Sequence, residues 1–207
     1  MTEQIEKIKN VSAQDYEKGL VNLHIHTTYS DGAGLFRDVS EQAKGKYKLF
    51  AITDHNTVQG HIDYPESGSV TGVEFDVWYK YIFMHLLAYD INPENEGMKK
   101  FYSKDKNGTE KDFVRIFAKR DIRELIAAIH DAGGIAVLAH PACCWALNME
   151  TFIRDLKNIG LDGVEVYYPY PRWRKYFKFA SSEYIAKIAD KYGLIKTGGT
   201  DCHDSKL

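Results

Sequence analysis

Seven short apolar segments, each rich in β-branched and aromatic residues, recur along the chain in the pattern typical of buried β-strands. They cover residues 21–26, 49–53, 69–75, 81–89, 135–140, 163–168 and 194–199. Segments with helical periodicity lie between them, near residues 35–47, 56–62, 111–132, 149–159 and 173–192. This alternation predicts an α/β fold with a mainly parallel sheet, and seven strands favour a barrel.

One connection departs from this pattern. Only residues 76–80 separate the third and fourth strands, whereas a crossover between parallel strands needs about a dozen residues. These two strands should therefore form an antiparallel hairpin, which makes the barrel irregular. We predict a single domain over residues 1–207, a distorted seven-stranded β/α barrel with an N-terminal extension at 1–20 and a short insertion and helix at 91–133.

Composition and charge indicate which partners and which cell compartment to expect. The net charge is only −2, so no global charge favours nucleic acid or a membrane surface. The polar start and the absence of a long apolar run predict a cytoplasmic protein with no membrane association. Three cysteines give no legible disulfide framework. The final Ser205-Lys206-Leu207 matches a peroxisomal address, but three residues make a weak motif.

Histidines and carboxylates concentrate on the predicted strands or just beyond their ends. They are His24, His26, Asp31, Asp54, His55, Glu74, His85, His140, Asp201 and His203. In a parallel β/α barrel the carboxyl ends of the strands meet at one face, so these residues should converge there. The period of two in a strand places His24 and His26 on one side, in a chelating arrangement.

A lone histidine in an apolar strand is more often a satisfied core residue than a metal ligand. We expect His130, within a helix, and His61 to be structural. The other six, each near a carboxylate or another histidine, would be costly to bury together unless metal ions compensate them.

The motifs that carry these residues resemble those of the PHP (polymerase and histidinol phosphatase) family. They are NLHIHTTYSDG, AITDHNT, GVEF, FMHLLAY, GGIAVLAHP, GVEVYYP and TGGTDCHDS, in order from about Val21 to the C-terminus. The resemblance implies a distorted seven-stranded β/α barrel, which agrees with the strand count, and a metal-dependent phosphoesterase activity.

The resemblance also implies a ligand set. A first metal ion would be bound by His24, His26 and Asp201. Glu74 would bridge it to a second ion bound by His85 and His140. A third ion would be bound by Asp31, His55 and His203. Among these ligands we expect Glu74, Asp201 and His203 to take part in catalysis. Asp54 is expected to orient a ligand histidine through its other ring nitrogen, and Glu165 is a similar case.

Imidazole and carboxylate ligands together favour Mn²⁺, Fe²⁺ or Zn²⁺, so we expect two or three such ions. Adjacent divalent ions lower the pKa of a shared water and neutralise charge on a phosphoryl transition state. The expected substrate is a small phosphomonoester or a nucleotide. Cys143 and Cys144 follow His140 but lack a motif that would make them reactive, so we expect them to be packing residues.

Arginine and aromatic residues interleave directly after the sixth strand, where Arg172 and Arg174 could bind the phosphate of the substrate. The alternative is that Arg174 and Lys175 merely decorate the start of a solvated helix. Arg37, Arg115 and Arg120 are the other candidates, and Arg115 or Arg120 becomes the better one if Arg172 and Arg174 prove dispensable. Relatives that act on nucleoside phosphates typically carry a larger helical insertion than residues 91–133, which weakens the nucleotide interpretation.

Two other functions stay open. One is a metal-binding module without turnover, but every expected ligand position is filled. The other is a single-strand nuclease, which would need a longer basic and aromatic groove and a less neutral charge. We therefore expect no stable nucleic-acid binding.

Overall fold

The computed structural model describes residues 2–117, 119–169 and 180–207. Its strands are β1 (Val21–Asn22), β2 (Leu49–Ile52), β3 (Val70–Tyr79), β4 (Ile82–Tyr89), β5 (Ile135–Leu138), β6 (Gly163–Tyr167) and β7 (Ile195–Gly198). They form one sheet in chain order from β1 to β7. Each of the seven predicted strands is present, although the paired part of the first is much shorter than residues 21–26.

The sheet curves into a distorted barrel, as predicted. Strand β4 is antiparallel to both β3 and β5, and the other neighbouring strands are parallel. The amide of Leu23 donates to the carbonyl of Gly198 at 3.1 Å, which joins the two ends of the sheet. A parallel bridge between Ile25 and Cys202 extends this closure toward the C-terminus.

The β3–β4 hairpin confirms the inference drawn from the short connection, but the turn is tighter than predicted. Strand β3 continues to Tyr79, and Tyr79 pairs directly with Ile82. Lys80 adopts a left-handed conformation in the turn, with φ 55°. Consequently Asp76 lies within the sheet and pairs with His85, whereas the sequence pattern had placed it in the loop.

The helices described are α1 (Glu3–Lys9), α2 (Ala13–Glu17), α3 (Phe36–Lys46), α4 (Gln59–Asp63), α5 (Asn107–Glu110), α6 (Asp112–Arg115), α7 (Ile122–Asp131), α8 (Met149–Asn158) and α9 (Ser182–Tyr192). The single helix predicted over 111–132 is wrong. A separate helix, α7, begins after Asp121. The side chain of Asp121 accepts hydrogen bonds from the amides of Arg123 and Glu124 and so caps the start of α7. The first part of the helix predicted over 173–192 falls on residues 173–179, which lie outside the described residues.

Apolar side chains between the barrel and its helices form the largest core. Strand β5 is buried throughout, as expected for a strand covered on both faces. Helix α7 packs on it through Leu125, Ile126 and Ile129, which recur at helical spacing. The N-terminal extension is helical and contributes Ile5 and Ile8 to a second apolar cluster. None of the helices described has the length and apolar character needed to cross a membrane.

The two histidines expected to be structural have structural partners. The Nε2 atom of His61 lies 2.9 Å from the carbonyl oxygen of Ile52. The Nε2 atom of His130 lies 2.8 Å from Asp162, whose carboxylate also accepts from the amide of Ala136. These contacts join α4 and α7 to the neighbouring strands.

Candidate metal centre

Six histidines and several carboxylates converge at one end of the barrel. His24 and His26 follow β1, and both side chains are completely buried, with ring centroids 5.1 Å apart. Ile25, between them, belongs to a separate apolar cluster with Phe36. The alternation along an extended segment therefore gives the chelating arrangement that the sequence predicted.

Strand β4 contributes its histidine from the opposite direction. His85 lies in the first half of β4, and this strand runs antiparallel to its neighbours. The start of β4 is therefore at the same end of the barrel as the carboxyl ends of the parallel strands. His140 follows β5 and has a φ of 26°, an uncommon conformation for a residue with a side chain. The two imidazoles approach to 3.3 Å between Nδ1 of His85 and Nε2 of His140.

Glu74 occupies the centre of the group. Its side chain is buried on β3, and its two oxygens face five histidine nitrogens. Oε2 lies 3.1 Å from Nε2 of His24, 3.1 Å from Nε2 of His26 and 3.3 Å from Nε2 of His55. Oε1 lies 3.0 Å from Nδ1 of His85 and 3.2 Å from Nε2 of His140. One carboxylate thus joins two sets of imidazoles.

Within the part of the chain that the structure describes, these side chains form four groups whose ligand atoms lie within 4.8 Å of one another. The groups are His24, His26, Glu74 and Asp201; Glu74, His85 and His140; His26, Asp31, His55 and His203; and His55, Asp76 and His85. The first three bring together the three sets of residues implied by the family resemblance. The fourth includes Asp76, which sequence reasoning did not consider.

The donor atoms fit divalent metal ions. Among the described residues, several buried atoms of the group have no hydrogen-bond partner: Nε2 of His24 and His26, Nδ1 of His55, Oε2 of Glu74, and Oδ1 of Asp31 and Asp76. Unsatisfied polar atoms in a protein interior cost free energy, and they cluster here at ligand spacing. Mixed nitrogen and carboxylate donors suit ions such as Mn²⁺, Fe²⁺ or Zn²⁺.

Protonation in the metal-free protein follows from the same contacts. Burial by itself lowers the pKa of His26, but Asp201 and Glu74 outweigh it and raise that pKa to about 9. Burial also opposes protonation of His85, yet Glu74 and Asp76 raise its pKa to about 10. At His55 burial dominates and lowers the pKa to about 3. Protons on the first two histidines therefore compete with metal ions.

Glu165 lies behind the first group, as its sequence position indicated. Its Oε1 atom is 3.1 Å from Nδ1 of His24, and its Oε2 atom accepts from the amide of His140 at 2.8 Å. Nε2 of His24 faces Glu74 on the other side of the ring. A buried carboxylate on the outer ring nitrogen fixes the orientation of a metal-binding histidine.

Asp54 has a different role from the predicted one. Its carboxylate accepts from the amide and hydroxyl of Thr27 and from the hydroxyl of Ser30, at 2.6–2.7 Å. The hydrogen bonds described for it include none to a histidine ring. Asp54 therefore stabilises the turn after His26, and it reaches that ring only indirectly, because Ser30 Oγ lies 3.4 Å from Nδ1 of His26.

A buried arginine from the short insertion enters the group. Nη1 of Arg115, on α6, donates to Asp31 at 2.7 Å, and Nε lies 3.5 Å from Asp76. Arg120 instead donates to the carbonyl oxygens of Phe101 and Asp76, so its contacts are structural. Arg172 and Arg174, the predicted phosphate-binding residues, lie outside the described residues.

A cavity of about 960 Å³ opens over the centre. Beyond the histidines and carboxylates, its walls are mostly aromatic and apolar, and they include Trp78, Tyr81, Phe83, Ile116 and Trp145. Cys143 and Cys144 also line it. Burial raises the pKa of the Cys144 thiol, which keeps it uncharged and agrees with a packing role.

The last residues of the chain are fixed beside the centre. Asp201 has a φ of 51°, and its Oδ1 atom lies 3.1 Å from Nε2 of His26. His203 places Nε2 at 3.2 Å from Asp31. The side chain of Gln42 on α3 donates to the carbonyl of Ser205 at 3.0 Å, and Leu207 packs against the cluster around Phe36.

Comparisons with known proteins agree with this architecture. No family model matches the chain. An uncharacterized protein of Methanocaldococcus jannaschii is 30% identical over 172 residues, which cover 73% of this chain and 82% of that protein. A phosphoribosyl 1,2-cyclic phosphate 1,2-diphosphodiesterase of Eggerthella lenta is 25% identical over 258 aligned positions, covering 88% of this chain and 93% of the relative. That alignment is longer than this chain of 207 residues, so it contains insertions in the relative.

Solved structures share the fold. An amidohydrolase from Chromobacterium violaceum with bound sulfate has a TM-score of 0.71 at 19% identity, covering 89% of this chain and 88% of its own. A metal-dependent phosphoesterase structure from Bifidobacterium adolescentis has a TM-score of 0.69 at 21% identity, with coverages of 88% and 87%. A two-domain protein from Bacteroides vulgatus that contains a PHP-like metal-dependent phosphoesterase has a TM-score of 0.53 at 12% identity, covering 89% of this chain and 52% of its own. At 30% identity over most of its length, this chain belongs to the same family as the M. jannaschii protein. Its ordered motifs resemble those of the PHP family, and its distorted barrel is the fold of these solved structures.

Proposed function

We propose that the chain hydrolyses a small phosphate ester at a centre of two or three divalent metal ions bound by the histidines and carboxylates around Glu74. The observation that carries this proposal is the position of Glu74 between two groups of imidazoles, of which His24 and His26 are buried and direct Nε2 atoms without a hydrogen-bond partner toward it. Bound there, such ions would supply a water of lowered pKa and would neutralise charge on the phosphoryl group. Mn²⁺, Fe²⁺ and Zn²⁺ are the proposed ions.

Exposure of the side chains indicates where the substrate enters. His24, His26 and Glu74 are completely buried, whereas His203 and Asp201 are partly exposed and line the cavity together with His85. The buried residues would therefore bind the proposed ions on the side away from solvent. The phosphate would approach from the side of His203, where solvent also reaches the centre.

Arg115 is the cationic residue that best supports phosphate binding. Among the described residues that line the cavity, it is the only lysine or arginine. Without metal ions its guanidinium pairs with Asp31 at 2.7 Å. A metal ion on Asp31 would compete for that carboxylate and repel the guanidinium, which would then be available to a phosphate oxygen. Arg172 and Arg174 stay predicted contributors.

The residues that line the cavity indicate which organic group of a substrate would fit there. Phe83 packs edge-on against His85 with ring centroids 5.4 Å apart, and Trp78 lies 5.3 Å from Phe83. Aromatic rings thus extend from His85, a proposed metal ligand, along the wall of the cavity. These rings favour a substrate with an aryl or nucleoside group over one with a charged group. The same composition argues against a nuclease, since the described mouth offers no continuous basic groove.

Metal analysis followed by a panel of esters tests the proposal. We expect two or three transition-metal ions per chain, loss of activity on chelation, and recovery with one of the three proposed ions. The panel should contain 4-nitrophenyl phosphate, a nucleoside monophosphate, glycerol phosphate, and a nucleoside 2′,3′-cyclic phosphate, because the E. lenta relative is named for a cyclic phosphodiester. Less than one metal ion per chain, with no uptake on reconstitution, would contradict the proposal.

Variants of Arg115 separate phosphate binding from metal binding. Arg115→Ala should raise KM or lower kcat/KM by about ten- to a hundredfold, the range for a charge-assisted contact worth roughly 1.5–3 kcal/mol. Metal content should stay unchanged. Arg123→Ala, at an exposed position on α7, is the matched control. If Arg115→Ala keeps wild-type kinetics on every ester that is cleaved, other residues bind the phosphate. Arg172 and Arg174 would then be tested next.

A further inference from the structure

Asp76 is a buried carboxylate held in one orientation by its neighbour Asn56. The amide of Asp76 donates to Oδ1 of Asn56 at 3.1 Å, and Nδ2 of Asn56 donates back to Oδ2 of Asp76. This pair of hydrogen bonds leaves Oδ1 of Asp76 directed into the metal centre, without a hydrogen-bond partner by geometry. The side chain is fully buried, so its charge has no access to bulk water.

Two histidines each place Asp76 on one side of the ring and Glu74 on the other. His85 has Nε2 at 3.1 Å from Oδ1 of Asp76 and Nδ1 at 3.0 Å from Glu74. His55 has Nδ1 at 3.8 Å from the same oxygen of Asp76 and Nε2 at 3.3 Å from Glu74. At 3.1 Å the two atoms at His85 are within hydrogen-bond distance, but the ring N–H is not aligned with Oδ1, so the contacts of both histidines with Asp76 are electrostatic attractions.

We propose that Asp76 is a positioning residue that fixes the orientation and tautomer of His85, and at longer range of His55, so that His85 presents Nδ1 and His55 presents Nε2 to the metal ions. The proposal rests on the proposed metal centre and adds to it. Glu165 has the corresponding arrangement behind His24, where it faces the ring nitrogen opposite to Glu74. A carboxylate on the outer nitrogen fixes the tautomer and makes the inner nitrogen a stronger ligand.

The alternative is that Asp76 itself binds an ion together with His55 and His85, whose atoms are close enough to do so. The ring nitrogens oppose that alternative. An ion on Oδ1 of Asp76 would need Nε2 of His85 and Nδ1 of His55, which are the nitrogens opposite to those that face Glu74. Each ring would then have to bind ions through both of its nitrogens. Arg115, whose Nε atom lies 3.5 Å from Oδ1, already gives Asp76 a positive neighbour without an ion.

The wild-type protein loaded with Zn²⁺ provides the first test, since this ion is diamagnetic. Long-range ¹H–¹⁵N correlation spectra distinguish the metal-bound nitrogen of each histidine ring from the protonated one. We expect metal on Nδ1 and a proton on Nε2 for His85, and the reverse for His55. Metal on Nε2 of His85 would overturn the proposal, because Asp76 would then face a metal-bound nitrogen instead of a protonated one.

Asp76→Asn provides the second test. It keeps the shape of the side chain and removes the charge. We expect metal affinity and kcat each to fall by about ten- to a hundredfold, the usual range for such an outer carboxylate, with KM changed less than threefold. The visible absorption spectrum of the Co²⁺-substituted protein should also change, because the geometry at His85 relaxes.

Asp162→Asn is the matched control. Asp162 also contacts a histidine, Nε2 of His130 at 2.8 Å, but it does so outside the metal centre. Metal affinity and the Co²⁺ spectrum should be those of the wild type in this variant.

Three results would separate the possibilities. Unchanged metal affinity and spectrum in Asp76→Asn would exclude a positioning role. Loss of one whole metal equivalent, with the others bound at wild-type affinity, would make Asp76 a ligand and overturn the proposal. If Asp76→Asn does not fold, the spectra of the wild-type protein decide. A wild-type protein that binds no metal would refute the proposed function itself, whereas a loaded, active enzyme with Nε2-bound His85 refutes this inference alone.

Discussion

Replacing Glu74 by Gln tests the centre at the residue where its groups meet. The amide has nearly the same shape as the carboxylate but no charge, and its NH₂ group would face histidine nitrogens that should themselves bind metal. Because Glu74 belongs to two of the groups, we expect Glu74→Gln to lose at least one metal ion per chain. A bound ion contributes several kcal/mol to stabilisation of a phosphoryl transition state. At about 1.4 kcal/mol for each factor of ten, a loss of about 4 kcal/mol lowers kcat by about a thousandfold.

The assay combines elemental analysis with phosphate release from the best substrate, at metal concentrations that saturate the wild-type protein. Glu94→Gln makes the same chemical change at an exposed position in the segment after β4 and should leave both quantities unchanged. Circular dichroism of the metal-free variant should retain the wild-type spectrum. If Glu74→Gln keeps its full metal content and a kcat within tenfold of the wild type, the bridging role of Glu74 is wrong.

Three further predictions concern the same centre. His55→Ala and His140→Ala should lose activity while their circular dichroism spectra stay native, since each removes a proposed ligand; unfolding of both variants would make these histidines structural. In the metal-free protein, the pKa of His26 is raised from 6.5 to about 9, so this histidine contributes stability below pH 6.5 that is lost as the pH rises to about 9. This loss lowers Tm between pH 6.5 and about 9, and calorimetry showing a flat or rising Tm over that range would contradict the prediction. Arg172→Ala or Arg174→Ala should raise KM or lower kcat/KM by about ten- to a hundredfold with unchanged metal content, and Lys should restore only part of the loss; wild-type kinetics in both Ala variants would remove these arginines from the site.

Local patterns predicted much of the fold because the relevant physics is local. The period of two placed His24 and His26 together, and the short connection after β3 required a hairpin. The helix predicted near residues 149–159 is α8, and the side chain of Asn148 caps its start by accepting from the amide of Thr151. Each of these features depends on residues that are close in sequence.

The missed features depend on residues that are distant in sequence. Asp76 resembled a loop residue because burying a carboxylate in a strand costs free energy. The residues that offset this cost are Asn56, His85 and Arg115, and they belong to other segments of the chain. The period of two from Glu74 to Asp76 was the available signal. Similarly, the residues next to Asp54 in the sequence did not indicate its hydrogen-bond partners. Its carboxylate accepts from Thr27 and Ser30 and not from a histidine.

The reversed direction of β4 allows part of the segment between β4 and β5 to vary while the barrel stays the same. Both ends of this segment lie at the end of the barrel opposite the metal centre, and the amide of Asn92 donates to the carbonyl of Ala132 at 2.9 Å, which joins them. The middle of the segment reaches the centre, where Asn56 donates to the carbonyl of Gly108 at 2.8 Å and Arg115 pairs with Asp31. The part of this segment between Phe101 and α7 can be lengthened at small entropic cost while α7 stays packed on β5. Grafting longer segments into this part would therefore change the residues above a constant set of metal-binding side chains, which makes it a natural unit for engineering substrate selectivity.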